Sequence, residues 1–468
     1  MTRLLASLAV LCTLAPHAAH ALQPLPAFLE SARKHNFDNR EAAATVRQRQ
    51  HQVDQARWDM TPTVNATAAY TRNQYEVKVT LPTGGDPVTR TITPFNQLDA
   101  QLTLTQPVVD VSALRSIDAA KLNLASGTAR VAATRQQVEQ SVATAYFTLL
   151  AAEAFIRATE EVHAATRANL AIVEQRAAAG VASDLDRRRA EVEVERSRKS
   201  IADAEYNLAI ARQRLTSLSG LAPEPGAPGL DVSLADEAPL KSWVDGNDVA
   251  AVKAAEAEAT ASASAVRSAS ALLYPSLSVS ASERFTNATG FLGKYAIASA
   301  SANLSWRFDL AVLPQLRASR AQSDLARVRA ERARQSAYDD IHAAWHQVRA
   351  ALAKARSARA ERDTSKVAVA QARQRYEAGT GLFLEVTQAE RDAFSAQISL
   401  IQADADLASA RILLRLRAGR ELGDSVRISP AGDRDPGPPV APPPATRPPA
   451  DPPAPAPATI ETPPALPR

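Results

Sequence analysis

The nearest approach to a metal site is a pair of histidines, His342 and His346. Four residues apart on a helix, they could present two imidazoles on one face, a spacing that binds metal in some proteins. No glutamate lies between them, and His35, His51 and His163 are remote in sequence. The pair reads as solvated helix positions, and no metal is expected. The only cysteine is Cys12. There is no Gly-rich phosphate loop and no nucleophile elbow. No catalytic residue and no cofactor is therefore assigned, and the chain is read as something other than an enzyme. The balance of 54 Lys+Arg against 50 Asp+Glu, a net charge of +4, gives no argument for nucleic acid. Acidic and basic residues are interleaved, as on solvated helix faces.

The N-terminal residues carry a compartment signal. Arg3, an apolar run from Leu4 to Leu14, Pro16 and Ala19-His20-Ala21 form the three parts of a cleavable signal peptide spanning 1–21. Its apolar run is too short to cross a bilayer as a helix. Cleavage after Ala21 removes Cys12 and leaves a chain without thiol or disulfide chemistry. Leu11 precedes Cys12 where a lipid-acceptor motif would have a small residue, so no lipid anchor is expected.

The elements that follow are long helices and short strand pairs. No proline occurs between Pro107 and Pro223 or between Pro314 and Pro430. Proline costs about 3 kcal/mol inside a helix, so these windows predict helices at 111–179, 184–219, 310–378 and 383–418. The two longest would each span about 100 Å and need lateral support, as in a coiled coil or helical barrel. Each window is broken once, at a tip of Gly180, Val181, Ala182, Ser183 and Asp184, and at a tip of Gly379, Thr380, Gly381 and Leu382. A glycine supplies a helix end, and Ser183 or Asp184 can cap the returning helix. Shorter helices are expected at 39–58 and 247–272.

Strand hairpins are expected at 62–106 and 275–307. Val64, Ala66, Ala68 and Tyr70 alternate with polar residues, as do Leu98, Ala100, Leu102 and Leu104. The same holds for Leu277, Val279 and Ala281, and for Ala298, Ala300, Ala302, Leu304 and Trp306. Apolar-out, polar-in alternation is the pattern of a transmembrane β-barrel. Tyr70 and Trp306 fall near strand ends, where interface aromatics belong.

The chain is duplicated. At an offset of 199, Gly180 meets Gly379, Ala190 meets Ala389, Glu191 meets Glu390, Leu215 meets Leu414 and Gly220 meets Gly419. Residues 22–220 form a first repeat and 247–420 a second, joined by a linker at 221–246. Each reads helix, strand, loop, strand, long helix, tip, returning helix. The first repeat is longer because residues 73–95 form a longer loop than 286–296. From Pro430 to Arg468 there are 16 prolines in 39 residues, a disordered tail. Four strands cannot close a membrane barrel, and lipid tolerates no open sheet edge. The barrel must be shared between chains, and a trimer gives twelve strands.

This pattern resembles the TolC-like family of outer-membrane efflux channels over about residues 25–420. The resemblance rests on the tips Ala178-Ala179-Gly180-Val181-Ala182-Ser183-Asp184-Leu185-Asp186 and Arg375-Tyr376-Glu377-Ala378-Gly379-Thr380-Gly381-Leu382-Phe383-Leu384-Glu385-Val386. The strand-to-helix joints Leu104–Asp110 and Leu304–Asp309 carry it too. It implies a mostly α fold with a membrane β-barrel, in a homotrimer set in outer-membrane lipid of a Gram-negative bacterium. It implies partners as well: a periplasmic adaptor (membrane fusion) protein at the tips and an inner-membrane pump, of the tripartite efflux or type I secretion kind. Asp186 and Tyr376 match gate-closing positions, and Glu385 matches an acidic ring at the aperture. Gly381 stands where the best-known members carry a gate arginine, and Gln388 where they carry a second acidic ring. The alternative is a periplasmic coiled-coil adaptor or scaffold without channel activity. An adaptor would have one helical hairpin flanked by small β-domains, whereas two hairpins are expected here, each preceded by a strand pair.

Overall fold

A computed structural model describes residues 22–82, 86–226, 232–245, 248–307 and 309–420. The expected signal segment 1–21, the Pro-rich tail 430–468, Phe308 and part of the linker lie outside the described residues. The chain divides into two units, Met1–Ile428 and Ser429–Arg468, and every described residue lies in the first.

Two helices come first, α1 (Leu25–His35) and α2 (Phe37–Trp58). The sequence reading placed only one here, at 39–58, and gave residues 25–35 no element. Pro26 sits in the first turn of α1, where its missing N–H is not needed. Leu25, Phe28, Leu29 and Ala32 make the buried stripe of α1. Asn36 divides the two helices with an extended backbone, and its Oδ1 accepts the Asp38 amide at 2.9 Å to cap α2.

The strands are β1 (Thr63–Arg72), β2 (Val77–Leu81), β3 (Val88–Thr93) and β4 (Asn96–Asp110), then β5 (Ser276–Thr286) and β6 (Ala296–Ser305). Between β4 and β5 run α3 (Val111–Ala178), α4 (Asp184–Ser219), α5 (Leu240–Val244) and α6 (Ala250–Ala271). After β6 come α7 (Val312–Glu377) and α8 (Phe383–Arg417). Two differences concern the strands. The loop expected at 73–95 contains a hairpin of its own, β2 with β3. Strand β4 also continues past the expected end at 106. It passes Pro107 through a register shift between Pro107 and Val109, the kind of irregularity at which a strand tolerates proline.

Strands β1, β4, β5 and β6 form one antiparallel sheet in that order. Its register sorts the side chains by face. Val64, Leu104, Ala281 and Ala300 share one rung and one face, and Ala68, Ala100, Phe285 and Ala296 another rung of that face. Asn65, Thr103, Ser282 and Ser299 lie on the opposite face, where the Ser282 and Ser299 hydroxyls are 3.0 Å apart. Arg284 on this polar face donates to Asp99 at 2.6 Å. Glu283, between Leu102 and Ala298, is a charged exception on the apolar face.

The helices continue this arrangement. Nearest the sheet, packing follows the order α2, α3, α6, α7; farther away it follows α4, α3, α8, α7. Helices α3 and α7, with 68 and 66 residues, run through both levels. Neighbours are antiparallel throughout, because the chain reverses at every tip and hairpin.

Midway along the helices lies a belt built from non-equivalent parts. On the first helix pair, α1 covers Tyr146, whose ring centre is 5.8 Å from that of Phe28, in a core with Val142, Leu149 and Leu215. Burial, aided by the Glu153 carboxylate, pushes the Tyr146 hydroxyl up to about 12. On the second pair, residues 232–245 take this place, with Trp243 packed among Ile341, Val348, Leu407 and Leu414. Their backbone carbonyls are stitched to both helices. From α7, Arg359 donates to Val232 at 2.7 Å, Arg356 to Leu234 at 2.9 Å and Trp345 to Ala238 at 2.9 Å. From the α8 side, Arg411 donates to Ser233 at 2.6 Å and Arg420 reaches Ser242. Arg359 also pairs with the buried Asp404 of α8 at 3.0 Å. Arg212 and Arg411 are 199 residues apart, the offset of the duplication, yet they differ in partner. Arg212 pairs with Glu153 on its neighbouring helix at 3.2 Å, and Arg411 with Glu237 of the covering segment at 2.9 Å.

Candidate functional site: the two helix tips

Helices α3 and α7 end in the same way. Gly180 and Gly379 have φ of +74° and +73°, a left-handed conformation in which a side chain is strained, though open space surrounds both. The Arg176 carbonyl then accepts the amides of Val181 (2.9 Å) and Ala182 (3.2 Å). In the other tip the Arg375 carbonyl accepts those of Thr380 (2.9 Å) and Gly381 (3.0 Å). The backbone of both reversals is closed by arginines that the duplication makes equivalent.

The returning helices start differently. Ser183 caps α4 by accepting the Asp186 amide at 3.1 Å, and its hydroxyl donates to the Asp186 carboxylate at 2.7 Å. Arg187 donates to Asp184 at 2.8 Å, and this bond holds the Asp184 carboxyl below its usual range. Leu382 precedes α8 without a side-chain cap, and Glu385 is the acidic residue of its first turn. Glu385 is exposed and lies 3.4 Å from Arg375. A pair so open to solvent contributes little to stability. Gln388, also exposed, donates to Asp392 at 3.0 Å, and Glu385, Gln388 and Asp392 line one groove between α7 and α8.

Tyr376 is half-buried in a small apolar cluster with Leu170, Val173, Ala182, Ala190 and Phe383, which joins the two tips. Among the described residues no hydrogen bond joins Asp186 to Tyr376 within the chain. Gly381 is packed tightly: a Cβ there would stand 3.0 Å from the Arg375 Cβ and 3.2 Å from the Tyr376 amide nitrogen. Any side chain, arginine included, would have to shift this backbone. Val181, Leu382, Leu185 and Leu384 are exposed apolar side chains at the tips.

Several residues tie the hairpins together that sequence reasoning missed. The Arg176 guanidinium lies 4.6 Å from the centre of the Tyr376 ring and donates to the carbonyls of Tyr376 and Glu377, both at 3.2 Å. Asn169 donates to Glu390 at 2.8 Å, Arg373 donates to the same carboxylate at 2.6 Å, and Arg391 pairs with Glu193. That pairing raises the affinity of Arg391 for its proton. The 199-residue offset that relates Arg176 to Arg375 was the available signal, but it gave no hint of their partners.

Comparison with known proteins accords with this architecture. No curated protein matches the chain. Among solved structures it is similar to the outer-membrane channel OprN, with 22% identity and a TM-score of 0.70 over 85% of this chain and 90% of that one. It is also similar to the outer membrane protein VceC from Vibrio cholerae, with 18% identity and a TM-score of 0.68 over 85% and 96% of the two chains. A third similarity is to the open state of the Neisseria gonorrhoeae MtrE outer membrane channel, with 20% identity and a TM-score of 0.68 over 86% and 90%. The family model described as "Outer membrane efflux protein" matches residues 28–221 and 249–420. The chain belongs to the outer membrane efflux protein family.

Proposed function

We propose that this outer membrane efflux protein is one subunit of a homotrimeric channel, a passive exit duct rather than an enzyme. It would be exported by the signal segment 1–21 into a Gram-negative envelope. Its sheet would sit in outer-membrane lipid, with its helices in the periplasm. The observation that carries this reading is the open edge at every level. The sheet ends in β1 and β6, the upper helices in α2 and α7, the lower helices in α4 and α7. Each level has four antiparallel elements, so a ring of copies places an up element beside a down element at every seam. An open sheet edge is not tolerated in lipid, and a ring removes it. A threefold ring gives twelve strands, enough for a lumen lined by Asn65, Thr103 and Ser282, with Val64, Leu104 and Phe285 towards lipid. The adaptor or scaffold alternative is set aside, because its hairpin would be flanked by separate β-domains rather than joined to one continuous sheet. Native mass spectrometry in detergent is expected to give three chains per particle, and a monomer would overturn the reading.

The tips would form the periplasmic aperture. Exposed Val181, Leu185, Leu382 and Leu384, with Gly180, Ser183, Asp184, Gly379, Thr380 and Gly381 around them, suit an adaptor protein linked to an inner-membrane pump. Asp186 and Tyr376 would take part in closing the aperture. Glu385 and Gln388 would face the narrow axis, where a ring of carboxylates attracts cations because little water screens it. Glu385→Gln is expected to lower cation preference in planar bilayers and weaken block by multivalent cations, with the melting temperature nearly unchanged. Unaltered selectivity with a lower melting temperature would instead assign Glu385 to the start of α8, where the helix dipole favours a carboxylate by about 0.3–1 kcal/mol.

A further inference from the structure

We propose that Arg176 is the latch that holds the second tip against the first. The proposal rests on the channel reading above and adds a residue that the gate positions of the resemblance do not include. Arg176 takes part in both tips at once. Its carbonyl accepts the amides of Val181 and Ala182, which closes the reversal after α3. Its guanidinium crosses to α7, stacks at 4.6 Å over Tyr376 and donates to the Tyr376 and Glu377 carbonyls, each at 3.2 Å. Those carbonyls belong to the last turn of α7, where the Tyr376 carbonyl also accepts the Gly379 amide at 3.1 Å and the helix dipole favours a cation. The planar guanidinium can stack on the ring and serve two acceptors together, a combination a lysine ammonium cannot reproduce.

The equivalent arginine, Arg375, makes no such crossing. It turns to Glu385 beside its own tip, 3.4 Å away, and both partners are largely exposed. The duplication therefore supplies two arginines, and only the one on α3 ties hairpin to hairpin at the tip. Gly381 strengthens the assignment. A Cβ there would stand 3.0 Å from the Arg375 Cβ and 3.2 Å from the Tyr376 amide nitrogen, so glycine fits this backbone best, and the cation beside Tyr376 is Arg176 of the neighbouring hairpin. Opening the aperture by moving the end of α7 away from α3 must break the stack and both carbonyl bonds.

The test is single-channel recording of the full-length protein in planar bilayers, with melting temperature and trimer content measured alongside. Arg176→Ala is expected to lengthen open time by roughly tenfold, equivalent to about 1.4 kcal/mol. Arg176→Lys should give a smaller increase, and so should Tyr376→Leu, which removes the stack but leaves both carbonyl acceptors. The double variant should open little more than Arg176→Ala alone, because Arg176→Ala already removes the stack that Tyr376→Leu abolishes. Arg327→Ala, an exposed change far up α7, should behave as wild type. If Arg176→Ala does not assemble, Arg176→Lys and Tyr376→Leu carry the same test. Unchanged gating in these variants overturns the latch, as does additivity in the double variant. A wild-type protein that forms no conducting trimer removes the channel reading, and the latch with it.

Discussion

Ala68→Arg is expected to abolish most assembly in the outer membrane, while Thr67→Arg at the preceding position leaves assembly intact and changes conductance. Ala68 lies near the middle of β1, opposite Ala100 on the apolar face, and Thr67 lies opposite Gln101 on the polar face. A cationic side chain on the lipid side costs about 2–4 kcal/mol near the midplane of the bilayer. A threefold ring incurs that cost three times, a large fraction of the stability of an ordinary fold. On the lumen side the same cation remains hydrated, so its effect is on ion passage. Heat-modifiable mobility and membrane fractionation measure the first effect and bilayer recording the second. Equal assembly of both variants would show that the sheet does not face lipid as its register implies.

Phe28→Ala should lower stability by about 3–5 kcal/mol, the range for removing a buried aromatic side chain. Phe28 is fully buried and packs on Tyr146, also buried, where α1 crosses the first helix pair. The lost ring leaves a cavity between α1 and α3 that neither long helix can fill by bending, because each is packed on several neighbours. Thermal melting followed by circular dichroism should show the loss, and hydrogen exchange should show α1 exposed before α3. Phe37→Ala is the contrast: Phe37 is 75% exposed at the start of α2, and its removal should change melting little. Similar shifts for both would mean that α1 does not anchor the belt.

The long helices were legible because proline is so costly in a helix that its absence over a hundred residues is informative. The alternation in β1, β4, β5 and β6 was legible for a similar reason: a strand with one wet face must alternate. Helix α1 was not, because it is short and no long proline-free window marks it: Pro26 lies within its first turn. The β2–β3 hairpin left a trace that the loop reading passed over: Val77, Val79 and Leu81 alternate with Lys78 and Thr80, and Thr89, Thr91 and Thr93 with Val88, Arg90 and Ile92. At the candidate site the glycines of both tips could be read directly, since a positive φ selects that residue. The contacts of Arg176 and of residues 232–245 could not. Their acceptors are backbone carbonyls, which every residue carries, so no side-chain type records the partner.

The stitching of residues 232–245 has a mechanical consequence. Trp345, Arg356 and Arg359 on α7, with Arg411 and Asp404 on α8, fix how far one helix can slide along the other at the level of the belt. Arg359 is the attachment nearest the tip. From there to Gly379 about 20 residues of α7 hang free of the belt, a lever of roughly 30 Å. A tilt of about 10° at its fulcrum swings the tip through roughly 5 Å for an arm of that length. In the proposed threefold ring three such arms act on one opening, so a rotation too small to disturb the packing around Trp243 is enough to change the bore.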